Sequence, residues 1–311
     1  MTREQSSPGR QRKFICVVNG RSGTAGQSAA AIIEAAFARH GIIPQIMETG
    51  DGRTITDLVT QAAQDDCDTV IAAGGDGTVS ALASALVGSP KSLGVIPMGT
   101  LNHFAKDMGI PVVAEAAVNC ILAGLTKLAD VGEVNSRIFI NNSSLGLYPA
   151  VVDRREALRK SGIGKWPALA WASLSMFMQL RRLHLELQPA EGPALKRVTP
   201  LLFIGNNTYD TAWPDVGTRR SIDQGHLWVM LSMSSTRLAL LASAISILRG
   251  REKASDVIAF DVSKLVVSSR HRQLTVAADG EIFRLQTPLT YRILPKALRV
   301  IVPDGVAKDA G

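Results

Sequence analysis

The segment Thr69-Val70-Ile71-Ala72-Ala73-Gly74-Gly75-Asp76-Gly77-Thr78 joins an apolar, β-branched run to a glycine-rich turn. The run reads as a parallel strand buried on both faces. Behind the turn, Ala81-Leu82-Ala83-Ser84-Ala85-Leu86-Val87 is a string of good helix formers. Three glycines let the backbone bend sharply and approach a ligand with no Cβ in the way. Thr78 or Ser80 is placed to cap the helix, whose unpaired N–H groups and positive dipole end would face an anion. Asp76 sits among those glycines, and a carboxylate beside phosphates repels them unless a cation or a transferable proton intervenes. The combination points to metal-assisted phosphate chemistry. No Gly-Lys-Ser/Thr follows, so this is not a Walker A loop, and the Gly-x-Gly-x-x-Gly dinucleotide spacing is absent as well. Taken alone, a glycine turn after a strand is as often a packing device.

A second strand–turn–helix unit follows directly. Ser92-Leu93-Gly94-Val95-Ile96 reads as a strand and Pro97-Met98-Gly99-Thr100-Leu101-Asn102 as a turn. His103-Phe104-Ala105-Lys106-Asp107-Met108 then reads as a short helix, stopped by Gly109 and Pro111. Thr100 is the expected N-cap. Asn102, just inside the helix, has an amide suited to a ribose or phosphate, or to the local backbone. Two adjacent parallel strands would present both turns at the carboxyl edge of one sheet, where open α/β sheets bind ligands.

Together these two turns resemble the catalytic domain of the diacylglycerol kinase family, which includes soluble bacterial lipid kinases and is related to sphingosine and ceramide kinases. Further matches occur in order from about Phe14 to Pro303. They are Asn19-Gly20-Arg21-Ser22-Gly23, Phe139-Ile140-Asn141-Asn142-Ser143-Ser144-Leu145-Gly146, Gly205-Asn206-Asn207-Thr208-Tyr209 and Asp223-Gln224-Gly225-His226-Leu227. Ala278-Asp279-Gly280-Glu281 and the closing stretch from Leu294 to Pro303 complete the set.

Composition fits a globular enzyme. The 311 residues are enough for two domains with substantial cores, at 46% hydrophobic and 20% charged. Cys16, Cys67 and Cys120 are scattered and odd in number, which reads as core thiols in a reducing compartment. The histidines form no paired ligand pattern, so no zinc site is expected. No apolar leader opens the sequence, and the most hydrophobic stretch, 166–180, is too short to span a bilayer. A cytoplasmic protein with peripheral membrane association and no transmembrane segment is expected. The net charge of +7 favours anionic partners: ATP or anionic lipid headgroups. Aromatics at 5% and the lack of a dense Lys/Arg run argue against nucleic acid. A homodimer is compatible with the sequence.

Residues 13–130 alternate strand and helix: strands at 13–19 and 43–49, helices at 28–40, 53–64 and 113–123, and the two units above. That alternation implies a parallel sheet covered on both faces. From 131 to 311 the pattern changes to short strands, at 137–141, 201–205, 227–231, 265–267 and 274–277, the signature of an antiparallel β-sandwich. Helical insertions are expected at about 154–182 and 236–249, and residues 1–12 are expected to be disordered. The fold class expected is therefore an α/β nucleotide-binding domain, similar to NAD kinase and diacylglycerol kinase, followed by a β-sandwich substrate domain. By the resemblance, residues 297–303 return to the first domain.

The resemblance implies the chemistry as well: an ATP- and Mg²⁺-dependent lipid kinase acting on diacylglycerol or a related lipid at a membrane surface. Phosphorylating a hydroxyl requires charge neutralisation at the γ-phosphate, in-line placement and a base for the proton. Asp76 would hold Mg²⁺ directly or through water, with the backbone of Gly74, Gly75, Asp76, Gly77, Thr78, Val79 and Ser80 around the phosphates. Asn19, Gly23, Thr49, Thr100 and Asn102 are nucleotide neighbours by family position. Glu281 is implied as general base, with Asp279 in the metal–water network. Both acids fall in the second domain, which implies an active site in the cleft between domains. Asp279-Gly280 is also a strong hairpin-turn signal in its own right. Trp166, Trp171 and Phe177 suit a lipid-tail pocket or, more often, ordinary core.

Three positions depart from the family pattern. Ser80-Ala81 replaces a common Asn-Glu, His103 stands where an acid often follows the Asn, and Gln224 stands where bacterial members often hold a structural Mg²⁺ with an acid. A neutral amide is the weaker ligand for a hard cation, so that structural metal is not expected here. A NAD kinase, or a non-catalytic nucleotide- or lipid-binding regulator on the same fold, are the alternatives.

Overall fold

The computed structural model describes residues 13–20, 23–24, 27–50, 53–146, 182–210, 218–219, 221–232 and 257–308. The sequence expectations for residues 1–12, for Trp166, Trp171 and Phe177, and for both helical insertions fall outside these, except Arg182, which has no regular structure. The chain divides into two compact units, one from residues up to Val131 and from Pro295 onward, the other Gly132–Leu294.

In the first unit the order is β1 (Phe14–Val18), the two-residue strands β2 (Gly23–Thr24) and β3 (Gln27–Ser28), α1 (Ala29–Ala38), β4 (Gln45–Glu48) and α2 (Ile55–Gln64). Then come β5 (Thr69–Gly74), α3 (Asp76–Leu86), β6 (Ser92–Pro97), α4 (His103–Asp107), α5 (Ala114–Ala123) and β7 (Thr126–Val134), whose end from Gly132 belongs to the second unit. β1 runs parallel to β4 on one side and to β5 on the other, and β5 is parallel to β6. Every residue of β1 and β6 is buried, as strands covered on both faces require. Phe14, Cys16 and Val18 join one core with Ile33 and Phe37 of α1 and Val118 and Ile121 of α5. Ile15 and Val17 alternate to the other face and are equally buried, where α2 packs on β1 and on α3. Phe37 is fully buried, and truncating it to Ala would cost about 3–5 kcal/mol.

Caps explain where these helices begin. Ser28 accepts from the Ala31 N–H, and Thr54 forms a reciprocal capping box with Asp57. The α3 start differs from the sequence expectation. The helix begins at Asp76 behind an extended Gly75 with no side-chain cap, so neither Thr78 nor Ser80 caps it. Thr78 lies inside the first turn and is buried. Nor is Thr100 the cap of α4. That place belongs to Asn102, in the left-handed region at φ 50 and ψ 47.

The second unit contains β8 (Arg137–Phe139), β9 (Asn142–Gly146), β10 (Leu183–Pro189), β11 (Leu195–Thr199), β12 (Leu201–Asn206), β13 (Leu227–Ser232), β14 (Val257–Val262), β15 (Lys264–Ser269), β16 (Gln273–Ala278), β17 (Glu281–Gln286) and the first part of β18 (Leu289–Ile301). An antiparallel sheet of order β14-β13-β12-β9-β16-β17 faces the antiparallel run β11-β10-β15-β18. Burial alternates cleanly along β10, with Leu185 and Leu187 inward and His184 and Glu186 outward. Leu145, Ile204, Val229 and Val276 from one sheet close on Leu185, Leu187, Val267 and Tyr291 from the other. This is the expected sandwich. The rest of β18 belongs to the first unit, where Arg299 and Val300 pair in parallel with Ser92 and Leu93 of β6, and α6 (Asp304–Lys308) follows.

Candidate active site

The parallel pairings place four loops on the carboxyl edge of the first unit's sheet, following β4, β1, β5 and β6 in that spatial order. Chain direction across the sheet reverses between β1 and β5, the switch point at which such sheets bind ligands. Neighbouring loops are tied together by hydrogen bonds. The Asn19 N–H donates to Ala73 O at 3.2 Å and the Gly20 N–H to Thr49 Oγ1 at 2.8 Å. The Met98 N–H reaches Gly74 O at 2.9 Å. Asn19, Thr49, Gly74 to Ser80, Thr100 and Asn102, all expected as nucleotide neighbours, thus share one edge, and Gly23 opens the β2–β3 pair that follows Asn19.

Two of the three glycines of the β5 turn serve packing, and one stays open. A Cβ on Gly74 would meet Thr78 Oγ1 at 2.5 Å, and one on Gly99 would meet Gly75 Cα at 2.6 Å. The two turns therefore touch through backbone, a contact only glycine permits. A Cβ on Gly77 would meet nothing within 4 Å, and Gly77 is exposed at the uncapped start of α3. Asn102 holds the second turn shut: its Oδ1 accepts from the Gly99 N–H at 3.0 Å and its Nδ2 donates to Gly99 O at 2.9 Å. Its amide is thus engaged with local backbone, the second of the two roles read from the sequence.

Asp76 is the first residue of α3, and its Oδ1 accepts from the Phe104 N–H at 3.4 Å, linking it to the start of α4. Among the described residues no three His, Cys, Asp or Glu side chains gather into a metal cluster. A single carboxylate still fits Mg²⁺, which keeps several waters and takes one or two carboxylates together with substrate phosphates. His103 is exposed at the first position of α4, and Ser80 lies in the second turn of α3.

In the second unit the Asp279-Gly280 turn joins β16 to β17, with Ala278 opposite Glu281 and φ of 47° and 85° at the two turn residues. Both values are positive, as a type I′ hairpin requires. Asp279 is tied to backbone. Its Oδ2 accepts from the Ile140 N–H at 2.7 Å, and its Oδ1 from the N–H groups of Asn141 at 2.8 Å and Asn142 at 3.2 Å. A carboxylate accepting three backbone N–H groups clamps the loop that carries them. Glu281, one turn further, is exposed.

The loop that Asp279 holds is the hub of a buried network that sequence reasoning did not assign. Arg219 donates to Ile140 O at 2.6 Å and to Asn141 Oδ1 at 3.0 Å, and Asn206 Nδ2 donates to Ile140 O at 2.9 Å. The Tyr209 hydroxyl donates to Asn141 O at 3.1 Å. Asn207 Oδ1 accepts from the Gln224 N–H, while Gln224 Oε1 accepts from the Thr208 N–H. Gln224 therefore works as a hydrogen-bonding amide. The only hint in the sequence was the pair of Asn-Asn dipeptides at Asn141-Asn142 and Asn206-Asn207, each next to a strand.

With this geometry in place, comparison with known proteins is informative. Residues 13–134 match the diacylglycerol kinase catalytic domain. Over 252 residues the chain is 25% identical to diacylglycerol kinase from several Staphylococcus aureus strains, covering 80% of this chain and 79% of theirs. A diacylglycerol kinase crystal structure from Bacillus anthracis superposes with a TM-score of 0.68 at 18% identity, over 95% of this chain and 98% of that one. An NAD kinase from Archaeoglobus fulgidus in complex with ATP gives 0.54 at 12% identity, over 95% and 96%. At those identities the two structures speak for the fold alone. Domain match, curated relatives and fold agree: residues 13–134 are similar to the diacylglycerol kinase catalytic domain, within a chain whose fold resembles that of such kinases.

Proposed function

We propose that this protein is a lipid kinase that transfers the γ-phosphoryl group of ATP, with Mg²⁺, to the hydroxyl of diacylglycerol or a closely related lipid alcohol. The observation that carries this reading is the carboxyl edge of the first sheet, where two back-to-back glycine turns leave Gly77 and Asp76 open at an uncapped helix start. The curated relatives supply the acceptor class, since they are named diacylglycerol kinases.

Mg²⁺, when bound, neutralises charge on the β- and γ-phosphates. Asp76 is the residue that would hold it, and the N–H groups at the start of α3 orient the phosphates. Glu281 takes the proton from the acceptor hydroxyl as its oxygen bonds to phosphorus and ADP leaves. Asp279 sets the position of Glu281 by fixing the turn between them. A lipid acceptor places the reaction at a membrane surface, and ATP as donor places the protein in the cytoplasm.

The test is transfer of radiolabel from γ-labelled ATP to diacylglycerol in detergent micelles, with NAD offered in a parallel reaction. Labelled phosphatidic acid, lost in Asp76→Asn and Glu281→Gln, is the expected result. Label on NAD alone would assign the protein to the neighbouring kinase activity. ATP binding with no transfer to a panel of lipids would assign a binding role.

A further inference from the structure

The backbone at Ile140 and Asn141, just before β9, is gripped from two sides by opposite charges. On one side its N–H groups, with that of Asn142, all donate to the Asp279 carboxylate. On the other side its carbonyls meet donors. Ile140 O accepts from Arg219 Nη1 at 2.6 Å and from Asn206 Nδ2 at 2.9 Å. Asn141 O accepts from the Asn206 N–H at 2.8 Å and from the Tyr209 hydroxyl at 3.1 Å. The peptide group joining Ile140 to Asn141 belongs to both sides. Its oxygen takes the guanidinium, and its N–H reaches Asp279 Oδ1 at 2.8 Å. Arg219 and Asp279 are therefore linked through one peptide dipole, and each charged partner polarises that group in the sense that strengthens the other bond.

Packing alone does not call for a cation here. Arg219 is only 8% exposed, and taking a guanidinium out of water is costly where an apolar side chain of similar volume often serves as well. The fork is also aimed. Its Nη2 donates to Asn141 Oδ1 at 3.0 Å, and the guanidinium carbon lies 5.7 Å from the centre of the Tyr209 ring. What this grip fixes in turn is the Asp279-Gly280 hairpin. Asp279 sits in the left-handed region at φ 47°, and its carboxylate is what ties the turn to the start of β9. Exposed Glu281 opens β17, the edge strand of its sheet, which pairs with β16 alone among the described residues. The direction of the Glu281 side chain thus depends on how that turn is held.

We infer that Arg219 is a positioning residue for phosphoryl transfer, holding the Asp279 turn, and with it Glu281, through the peptide between Ile140 and Asn141. The inference rests on the reading of Glu281 as the base that receives the hydroxyl proton.

The test compares Arg219→Met and Arg219→Lys with the parent protein, each alone and combined with Glu281→Gln. Methionine removes both charge and fork, whereas lysine keeps the charge and loses the fork. In Arg219→Met, kcat for transfer to diacylglycerol should fall about 100-fold with KM for ATP unchanged, the pattern of a displaced proton acceptor. Arg219→Lys should fall less. Neither change should lower kcat further once Glu281 is Gln, because both then act on the same missing group. An arginine that only supports the fold would lower kcat by the same factor in both backgrounds, and that result would overturn the inference. So would full activity in Arg219→Met.

Amide hydrogen exchange gives a readout that needs no turnover, and the lysine variant keeps it decisive if the methionine variant folds poorly. Amides at 140–142 and at 279–281 should exchange faster together in Arg219→Lys, with the rest of the chain as in the parent protein. Unchanged exchange at 279–281 would overturn the inference. Loosening of both segments in a chain whose parent form phosphorylates no lipid would strike the kinase reading and leave the link from Arg219 to Asp279 standing, so the two ideas fail separately.

Discussion

Gly99 stands so close to Gly75 that a Cβ on the first would lie 2.6 Å from the Cα of the second. The opposing atom is backbone and cannot swing aside, so Gly99→Ala must push the two turns apart. The expected cost is about 1–3 kcal/mol of folding stability, with weaker ATP binding as the edge deforms. Gly77→Ala makes the opposite experiment. Its Cβ meets nothing, and helix propensity favours Ala by about 1 kcal/mol, so stability should hold or rise. ATP affinity should nevertheless fall, because the added methyl occupies the approach to the helix N–H groups. Thermal melts and calorimetric ATP titrations would check both, and a Gly99→Ala protein that melts like the parent would refute the packing account.

Asp279 and Glu281 are two residues apart and should behave differently. Asp279→Asn loses charge-assisted acceptors for the N–H groups of Ile140, Asn141 and Asn142, and each such bond is worth about 1.5–3 kcal/mol. A large drop in melting temperature is expected. Glu281→Gln removes an exposed carboxylate with no structural role, so its melting should stay put while phosphoryl transfer falls by roughly 100-fold or more. A folded, fully active Glu281→Gln enzyme would remove the base assignment.

Asp76→Asn gives a third contrast. An acid in the first turn of a helix contributes only about 0.3–1 kcal/mol, so the fold should tolerate the change. Transfer should drop steeply, and added Mg²⁺ should restore less of it than in the parent protein. Calorimetric titration of Mg²⁺ with ATP present would show whether the carboxylate holds the cation.

Tyr291 supplies a pH signature. Its ring is fully buried and its hydroxyl lies 3.2 Å from Ser143 Oγ, so burial raises its pKa well above the usual value near 10. A raised folded-state pKa means the associated stability is fully present below about pH 10 and drains away as pH climbs beyond it. Ultraviolet titration should show Tyr291 ionising only as the protein unfolds in alkali. Tyr291→Phe should abolish that late step. A parent protein whose alkaline titration matches that of Tyr291→Phe in its native state, apart from one extra early, reversible step, would contradict the burial.

The fold class was legible because its signals are local: a fully apolar strand at Phe14–Val18, a largely apolar one at Thr69–Gly74, alternating ones such as Leu183–Pro189, and an Asp-Gly hairpin. The α3 cap is not legible in the sequence because Gly75 caps with backbone alone, leaving no side chain to recognise, while Thr78 and Ser80 carry the usual capping hydroxyls. The α4 start was misread for a related reason, since Asn102 adopts a left-handed conformation that ordinary capping preference does not anticipate. Asp279 as a clamp was invisible, because its partners lie 137–139 residues earlier in the chain.

Strand β18 has a consequence for biosynthesis. β6 sits between β5 and the Arg299–Val300 part of β18, so the parallel sheet of the first unit lacks that neighbour until the whole second unit has been read. A ribosome that has already delivered Asp76, Gly99 and their loops still holds back the strand that covers one flank of β6. Stop codons that fall after β6 but before Arg299 would release polypeptides with a bare, apolar sheet margin, the kind of product that quality-control proteases remove.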